Sequence, residues 1–336
     1  DAGRPPALRA VRHDAWRLDA ASYPLRGEIL PRYTDVDVWQ HLNNTALITM
    51  QGEAVQQALR SVFGDAAWRS TRPALACVEN ATDFLAEAPY PAPLTWGARV
   101  LGVDATGLRV ATALFQHGQC VGLHGSTLAW WTDGHAAGPG AEPAAALRAA
   151  QVPGADTLPS SAPRDAAPGH GADAGERAGA DPAGAGPHAA AAPDLAQYPW
   201  RPSFGLRFGD SDAHRLVSDT CLARAAEQMR VEFLHQVFDG RQQLLGGMLV
   251  AHVSLRWLRR GASAAQWQLG SGVAHVGERS LAMRGAMFQD GQCVAQCESV
   301  MVAIDRTTRR SARLSDEARA VLEPYRMHGV PASDRR

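Results

Sequence analysis

The sequence contains no lysine, so all 33 of its basic residues are arginines. This absence excludes every chemistry that needs a lysine amine, including Schiff-base catalysis, a P-loop and a serine–lysine dyad. The formal net charge is −1, and a chain without a basic excess is a poor candidate for binding phosphates along a nucleic acid. We therefore predict that the protein has no nucleic-acid partner.

Several other signatures are missing. The five cysteines show no spacing typical of a zinc site, and their odd number favours reduced, buried thiols. No run approaches the roughly 18 apolar residues of a membrane helix, and the first residues lack the apolar stretch of a signal peptide. No GxGxxG motif joins a strand to a helix, and no GxSxG motif occurs. We predict a cytoplasmic protein with no membrane span, metal site, dinucleotide site or serine nucleophile elbow.

The length and composition predict two domains and a linker. The chain has 336 residues, of which 46% are hydrophobic, enough for two ordinary cores. Over residues 136–197 the composition falls mostly to alanine, glycine, proline and aspartate. Such a segment buries too little apolar surface to offset its ordering entropy, so we predict a flexible linker. An N-terminal extension over residues 1–21 and a C-terminal tail over residues 328–336 complete the predicted organisation.

The same pattern occurs on both sides of the linker. The segment YPLRGEILPRYTDVD from Tyr23 matches YPWRPSFGLRFGDSD from Tyr198 at an offset of 175 residues. Further on, FQHGQCV from Phe115 matches FQDGQCV from Phe288 at an offset of 173 residues. Because this register holds over most of each half, we predict a duplicated domain.

The first repeat is placed at residues 22–135 and the second repeat at residues 198–327. Each predicts an extended segment, a loop with the motif DxD, a helix of about five turns and then four strands. The candidate helix N-caps are Asn43 or Asn44 in the first repeat and Ser218 or Asp219 in the second. A single helix followed by an antiparallel meander predicts an α+β unit whose sheet wraps the helix.

The loop and helix of each repeat carry a family resemblance. The first repeat reads YTDVDVWQHLNN from Tyr33, followed by Glu53 in helical register, and the second reads FGDSDAHRLVSD from Phe208. This pattern resembles the hot-dog-fold thioesterases of the 4-hydroxybenzoyl-CoA thioesterase type. The resemblance implies two tandem hot-dog domains, each a long helix wrapped by an antiparallel sheet, packed as an intramolecular pseudo-dimer.

The resemblance also implies an activity. It predicts a thioesterase that hydrolyses an acyl thioester of coenzyme A or acyl carrier protein to the free acid and thiol. No cofactor is expected, because coenzyme A or phosphopantetheine is part of the substrate. Members of the family work as dimers or tetramers, so we also expect the chains to associate as a homo-oligomer.

Thioester hydrolysis indicates which residues form the site. A carboxylate before a helix can activate water or attack the carbonyl, and the amides of the helix N-terminus can stabilise the oxyanion. The resemblance implies the carboxylate role for the second aspartate of DxD, with a helix glutamate, Glu53 or Glu227, as the other candidate. The predicted catalytic residues are Asp37, His41, Asn43, Glu53 and Asp212. The first aspartates of DxD, Asp35 and Asp210, are expected to be structural.

Substrate binding is assigned to two groups of residues. Gln40 and Asn44 belong to the loop and helix start of the first repeat. Arg256, Arg259 and Arg260 follow a strand of the second repeat and are predicted to meet the phosphates of the carrier.

The two loops also depart from the family pattern. Gln40 and Arg215 replace the usual loop glycine. Leu216 replaces the histidine, and Ser218 replaces the first asparagine. This decay predicts one dominant site, built from the loop of the first repeat and strands of the second.

Two other functions stay open. A non-catalytic acyl-thioester binding module, acting as a sensor or scaffold, fits the altered motif of the second repeat. A hot-dog hydratase or dehydratase would need a D-x-N-x-x-H arrangement, which residues 35–40 lack. Turnover of acyl-CoA separates the enzyme from the binding module.

Overall fold

The computed structural model describes residues 14–69, 74–104, 107–132, 134–137, 193–260, 266–305, 307–308 and 310–327. Most of the predicted linker, the predicted C-terminal tail and the first thirteen residues lie outside these ranges. The described part of the predicted N-terminal extension forms two short 3-10 turns, Ala15–Leu18 and Ala20–Ser22.

Both repeats have the predicted order of elements. The first repeat contains β1 (Leu25–Ile29), α1 (Asn44–Phe63), β2 (Ala74–Phe84), β3 (Leu94–Asp104), β4 (Gly107–Gln116), β5 (Gln119–Thr132) and β6 (His135–Ala137). The second contains β7 (Ser203–Gly205), α2 (Asp219–Val237), β8 (Gly247–Trp257), β9 (Gln266–Val276), β10 (Ser280–Gln289), β11 (Gln292–Ile304) and α3 (Asp316–Leu322). The last two residues of β6 fall within the segment predicted as linker.

Within the described residues, one eleven-stranded sheet runs through both repeats in the order β1-β3-β4-β5-β2-β8-β11-β10-β9-β7, with β6 beside β5. The repeats meet where β2 pairs with β8 in antiparallel fashion, from Glu79 opposite Arg256 to Asp83 opposite His252. Because β2 and β8 are equivalent strands, this pairing relates the repeats by an approximate twofold axis. The predicted pseudo-dimer of two α+β units is confirmed.

The repeated sequence motifs have repeated structural roles. The buried rings of Tyr23 and Tyr198 lie over Gly97 and Gly270, where an added Cβ would come within 2.6 Å of the ring. The hairpin turns at residues 117–118 and 290–291 have two consecutive positive φ angles, which a tight two-residue turn requires.

The two long helices begin at the predicted caps. The side chain of Asn43 accepts the amide of Thr45 at 2.6 Å, and Ser218 accepts the amide of Cys221 at 3.1 Å. Such caps contribute about 1 kcal/mol each. Among the described residues, no helix combines the length and the apolar character needed to cross a membrane.

The helices pack against each other as well as against the sheet. One hydrophobic cluster contains Leu47 and Met50 of α1, Leu222 and Ala226 of α2, and Val253 of β8. The hydroxyls of Thr49 and Thr220 are 3.3 Å apart, so the N-terminal halves of the helices face each other. This packing brings the loop before each helix against the helix of the other repeat.

Candidate active site

The first aspartate of each DxD motif anchors its loop. Asp35 is buried and accepts hydrogen bonds from the backbone amide and the guanidinium of Arg32, both at 2.8 Å. Burial opposes ionisation, but the bonds from Arg32 outweigh it and lower the pKa of Asp35. Arg207 and Asp210 repeat the arrangement. The expected structural role of both aspartates agrees with these contacts.

The loop of the first repeat places His41 between two carboxylates. The Nδ1 atom of His41 is 3.7 Å from Asp37 Oδ1, and its Nε2 atom is 3.6 Å from Glu87 Oε2. Asp37 also accepts the backbone amide of Trp39 at 2.9 Å. The sequence pattern did not indicate Glu87, which follows β2 and reaches the loop only in the folded chain.

Gln40 lies at the tip of the same loop. Its φ angle is +68°, and that of its counterpart Arg215 is +61°. This left-handed conformation explains why the related motif has glycine here. Gln40 therefore holds the turn at some cost in backbone strain.

Asn43 connects the two repeats at the centre of the site. Its Nδ2 atom donates to Glu227 Oε1 at 2.7 Å, and the hydroxyl of Thr45 donates to Glu227 Oε2 at 3.0 Å. Glu227 lies on α2, so a carboxylate of the second repeat is held by the cap and first turn of α1. Sequence reasoning named Glu227 as a helix carboxylate but did not pair it with the first loop.

Glu53 is not part of this arrangement. It is exposed on α1, where it accepts a hydrogen bond from Gln57 at 2.6 Å. The residue of α1 that is equivalent to Glu227 is Gly52, and an added Cβ there would have no atom within 4 Å. The prediction of Glu53 as a catalytic residue is corrected, because the helix carboxylate that meets a loop is Glu227.

The loop of the second repeat is closed by an arginine. Asp212 accepts the backbone amides of His214 and Leu216, and its Oδ2 atom is 3.7 Å from Arg260 Nη2. Arg260 also pairs with Asp219 at 3.1 Å.

Arg260 is 1% exposed, and its guanidinium donates to the carbonyls of Val217 and Cys77. This burial corrects the prediction that Arg260 meets substrate phosphates. It also places Asp212 against an internal cation.

Comparisons with known proteins agree with this geometry. Residues 206–322 match the family model of the thioesterase-like superfamily. The second repeat belongs to this superfamily. A comparison with curated proteins found no match to the chain.

Solved structures match across both repeats of the thioesterase-like chain. An acyl-ACP thioesterase of Bacteroides thetaiotaomicron has 10% identity and a TM-score of 0.54, over 82% of this chain and 97% of its own. The 12:0-ACP thioesterase of Umbellularia californica has 12% identity and a TM-score of 0.57, over 82% and 93%. A protein assigned as an oleoyl thioesterase in Lactobacillus plantarum has 12% identity and a TM-score of 0.56, over 84% and 96%. These similarities confirm the tandem hot-dog fold.

The other predicted residues occupy different parts of the tandem hot-dog. Arg256 is exposed on β8 opposite Glu79, and Arg259 donates to Gln292 at the surface. Trp257 donates to Asp219 at 2.8 Å, so this end of β8 lies at the second loop and not at Asn43. Asn44 is the partly buried first residue of α1.

The two hot-dog domains therefore contribute unequally. The first loop meets a glutamate of the other domain, whereas the second loop meets a glycine position and a buried arginine. The expected partner of the first loop was a strand of the second repeat, and the structure corrects this to helix α2. Among the described residues, no three His, Cys, Asp or Glu side chains come close enough to hold a metal ion.

Proposed function

We propose that the protein is a thioester hydrolase with one active site per chain, formed by the first loop and Glu227. The observation that carries this proposal is the 2.7 Å hydrogen bond from Asn43 to Glu227 across the two repeats. The superfamily of the second repeat and the names of the similar solved structures support an acyl thioester as substrate. The carrier is coenzyme A or acyl carrier protein.

Glu227 supplies the carboxylate of the reaction. Both of its oxygens are held, one by the amide of Asn43 and the other by the hydroxyl of Thr45. A fixed carboxylate can take a proton from water while the water oxygen bonds to the thioester carbon. The carbon–sulfur bond then breaks, and the proton passes to the departing thiolate.

The start of α1 and His41 serve the carbonyl oxygen. A helix N-terminus carries a partial positive charge, which stabilises an oxyanion formed beside it. His41 is held two residues before the Asn43 cap, with carboxylates of Asp37 and Glu87 on either side. In this proposal its ring donates a hydrogen bond to the carbonyl, and Asp37 orients the ring.

Release of free thiol from short, long and aromatic acyl-CoAs tests the proposal. Glu227→Gln should lose most of the rate, while Glu53→Gln should keep it, because Glu53 is exposed and bonded within its own helix. Asp37→Asn should slow the reaction and Asp212→Asn should not. Equal rates for Glu227→Gln and wild type would overturn the assignment.

A binding module is distinguished in the same assay. If acyl-CoA raises the melting temperature of wild type but no thiol is released, the chain binds acyl thioesters without hydrolysing them. Loss of that stabilisation in Glu227→Gln would then place the ligand at the same site.

A further inference from the structure

Helix α2 carries a buried arginine one turn beyond Glu227. Arg230 is 6% exposed, and among the described residues nothing forms a hydrogen bond or an ion pair with its guanidinium. Burial lowers its pKa against the favourable field of Glu227, yet arginine stays charged in proteins. Both oxygens of Glu227 are already bound by Asn43 and Thr45, so Arg230 is not needed to hold that carboxylate.

Arg230 lines a small cavity between α2 and the inner face of the second sheet half. Ser271 on β9 and Ser299 on β11 also line it. These serines are 1% and 8% exposed, and their hydroxyls have no hydrogen-bond partner among the described residues. The cavity volume is about 10 Å³, room for about one water molecule. Three buried polar groups without protein partners are costly, which indicates a ligand.

The equivalent region of the first repeat has no such need. There the hydroxyl of Thr112 donates to Gln51 at 2.6 Å, and Gln51 donates to the carbonyl of Gly122. The ring of His124 is bonded on both sides, to Thr82 at 2.7 Å and to Ser126 at 2.8 Å. The unsatisfied cation is therefore a property of the second repeat and not a requirement of the fold.

We infer that Arg230, with Ser271 and Ser299, binds a carboxylate at the far end of the acyl group, so that the substrate is a monothioester of a short dicarboxylic acid. This inference rests on the proposed function. An arginine and hydroxyl donors are the groups that bind carboxylates well.

The distances on α2 fit a short acyl chain. Arg230 lies three residues beyond Glu227, a rise of about 4.5 Å along the helix. Met229 and Met283 form walls of the cavity. Their flexible side chains can repack around an entering chain. The carboxylate would replace the water that the cavity has room for.

Glutaryl-CoA and pentanoyl-CoA test the inference, because they have the same chain length and differ in the terminal charge. Wild type should hydrolyse glutaryl-CoA with a kcat/KM at least about tenfold higher, the effect of one charged hydrogen bond. Arg230→Met should abolish or reverse this preference. Arg60→Met, which removes an exposed arginine of α1, should keep it. Equal rates for the two thioesters in wild type would overturn the inference.

A second readout does not depend on turnover. Glutarate, but not pentanoate, should raise the melting temperature of wild type and of Glu227→Gln, and should leave Arg230→Met unchanged. If glutarate stabilises the protein but no thioester is hydrolysed, the proposed function fails and the carboxylate site stands. If thioesters are hydrolysed without preference and glutarate has no effect, the carboxylate site fails and the hydrolase stands. Should Arg230→Met not fold, the comparison of the two ligands on wild type decides.

Discussion

Glu87 and Arg260 occupy equivalent positions after β2 and β8, and they carry opposite charges. Glu87 lies 3.6 Å from His41 of the first loop, and Arg260 lies 3.7 Å from Asp212 of the second. The glutamate is partly exposed beside an accessible loop, whereas the arginine is buried beneath its loop and also binds the carbonyl of Cys77 in the other repeat. This one exchange separates a loop suited to chemistry from a loop that fastens the repeats together.

Replacing Arg260 with methionine should destabilise the chain by about 3 kcal/mol, because two carboxylates and two carbonyls lose their buried donor. Urea unfolding measures this change, and Arg259→Met, at the neighbouring exposed arginine, serves as the control. Thiol release by the folded variant should stay close to wild type. An unchanged midpoint for Arg260→Met would show that the buried arginine does not hold the second loop.

Asn43→Ser should separate the cap of α1 from the support of Glu227. Serine caps a helix about as well as asparagine and already does so at Ser218, so stability should stay within about 0.5 kcal/mol of wild type. Serine cannot supply the amide that reaches Glu227 at 2.7 Å. Thiol release should therefore fall by about 10²-fold, and a variant with full activity would contradict the role given to this contact.

Gly52→Glu should place a carboxylate at the helix position equivalent to Glu227. The site has open space, and glutamate is a better helix former than glycine, so a stabilisation of about 0.5–1 kcal/mol is expected. In a Glu227→Gln background it should not restore thiol release, because the second loop lacks the histidine and is closed by Arg260. Recovery of activity would mean that the second loop is competent.

His124 should make stability depend on pH. Burial is the main cause that lowers its pKa to about 3, whereas an unfolded histidine titrates near pH 6.5. Between these values the unfolded state binds the proton, so stability should fall as pH falls from about 6.5 towards 3, by up to about 1.4 kcal/mol per pH unit. His124→Gln should reduce this slope, as measured by urea unfolding across that range. His117→Gln, at an exposed hairpin turn, should keep it.

The fold was accessible from the sequence because its signals are local and occur twice. Apolar spacing, the Asn43 and Ser218 caps and the two hairpin turns each specify nearby backbone, and the duplicated register supported every assignment. The same local reasoning identified the first loop and its Asp37.

The partners of that loop were harder to predict because they come from distant parts of the chain. Glu227 reaches Asn43 only through the packing of α1 against α2, and Glu53, one position away from its true equivalent, looked just as suitable. Arg260 follows a strand with two exposed arginines before it, so its burial depended on the β2–β8 pairing. Arg230 reads as an ordinary helix residue until its surroundings are known.

The covalent joining of the repeats through one sheet has a consequence for how the protein can change over time. In an assembly of identical subunits, each mutation alters every copy of a site at once, so a residue that stabilises one loop also blocks the other. Here Glu87 and Arg260 are encoded separately. One half of the molecule was therefore free to lose its reactive loop and become a support, while the other half retained the ancestral arrangement.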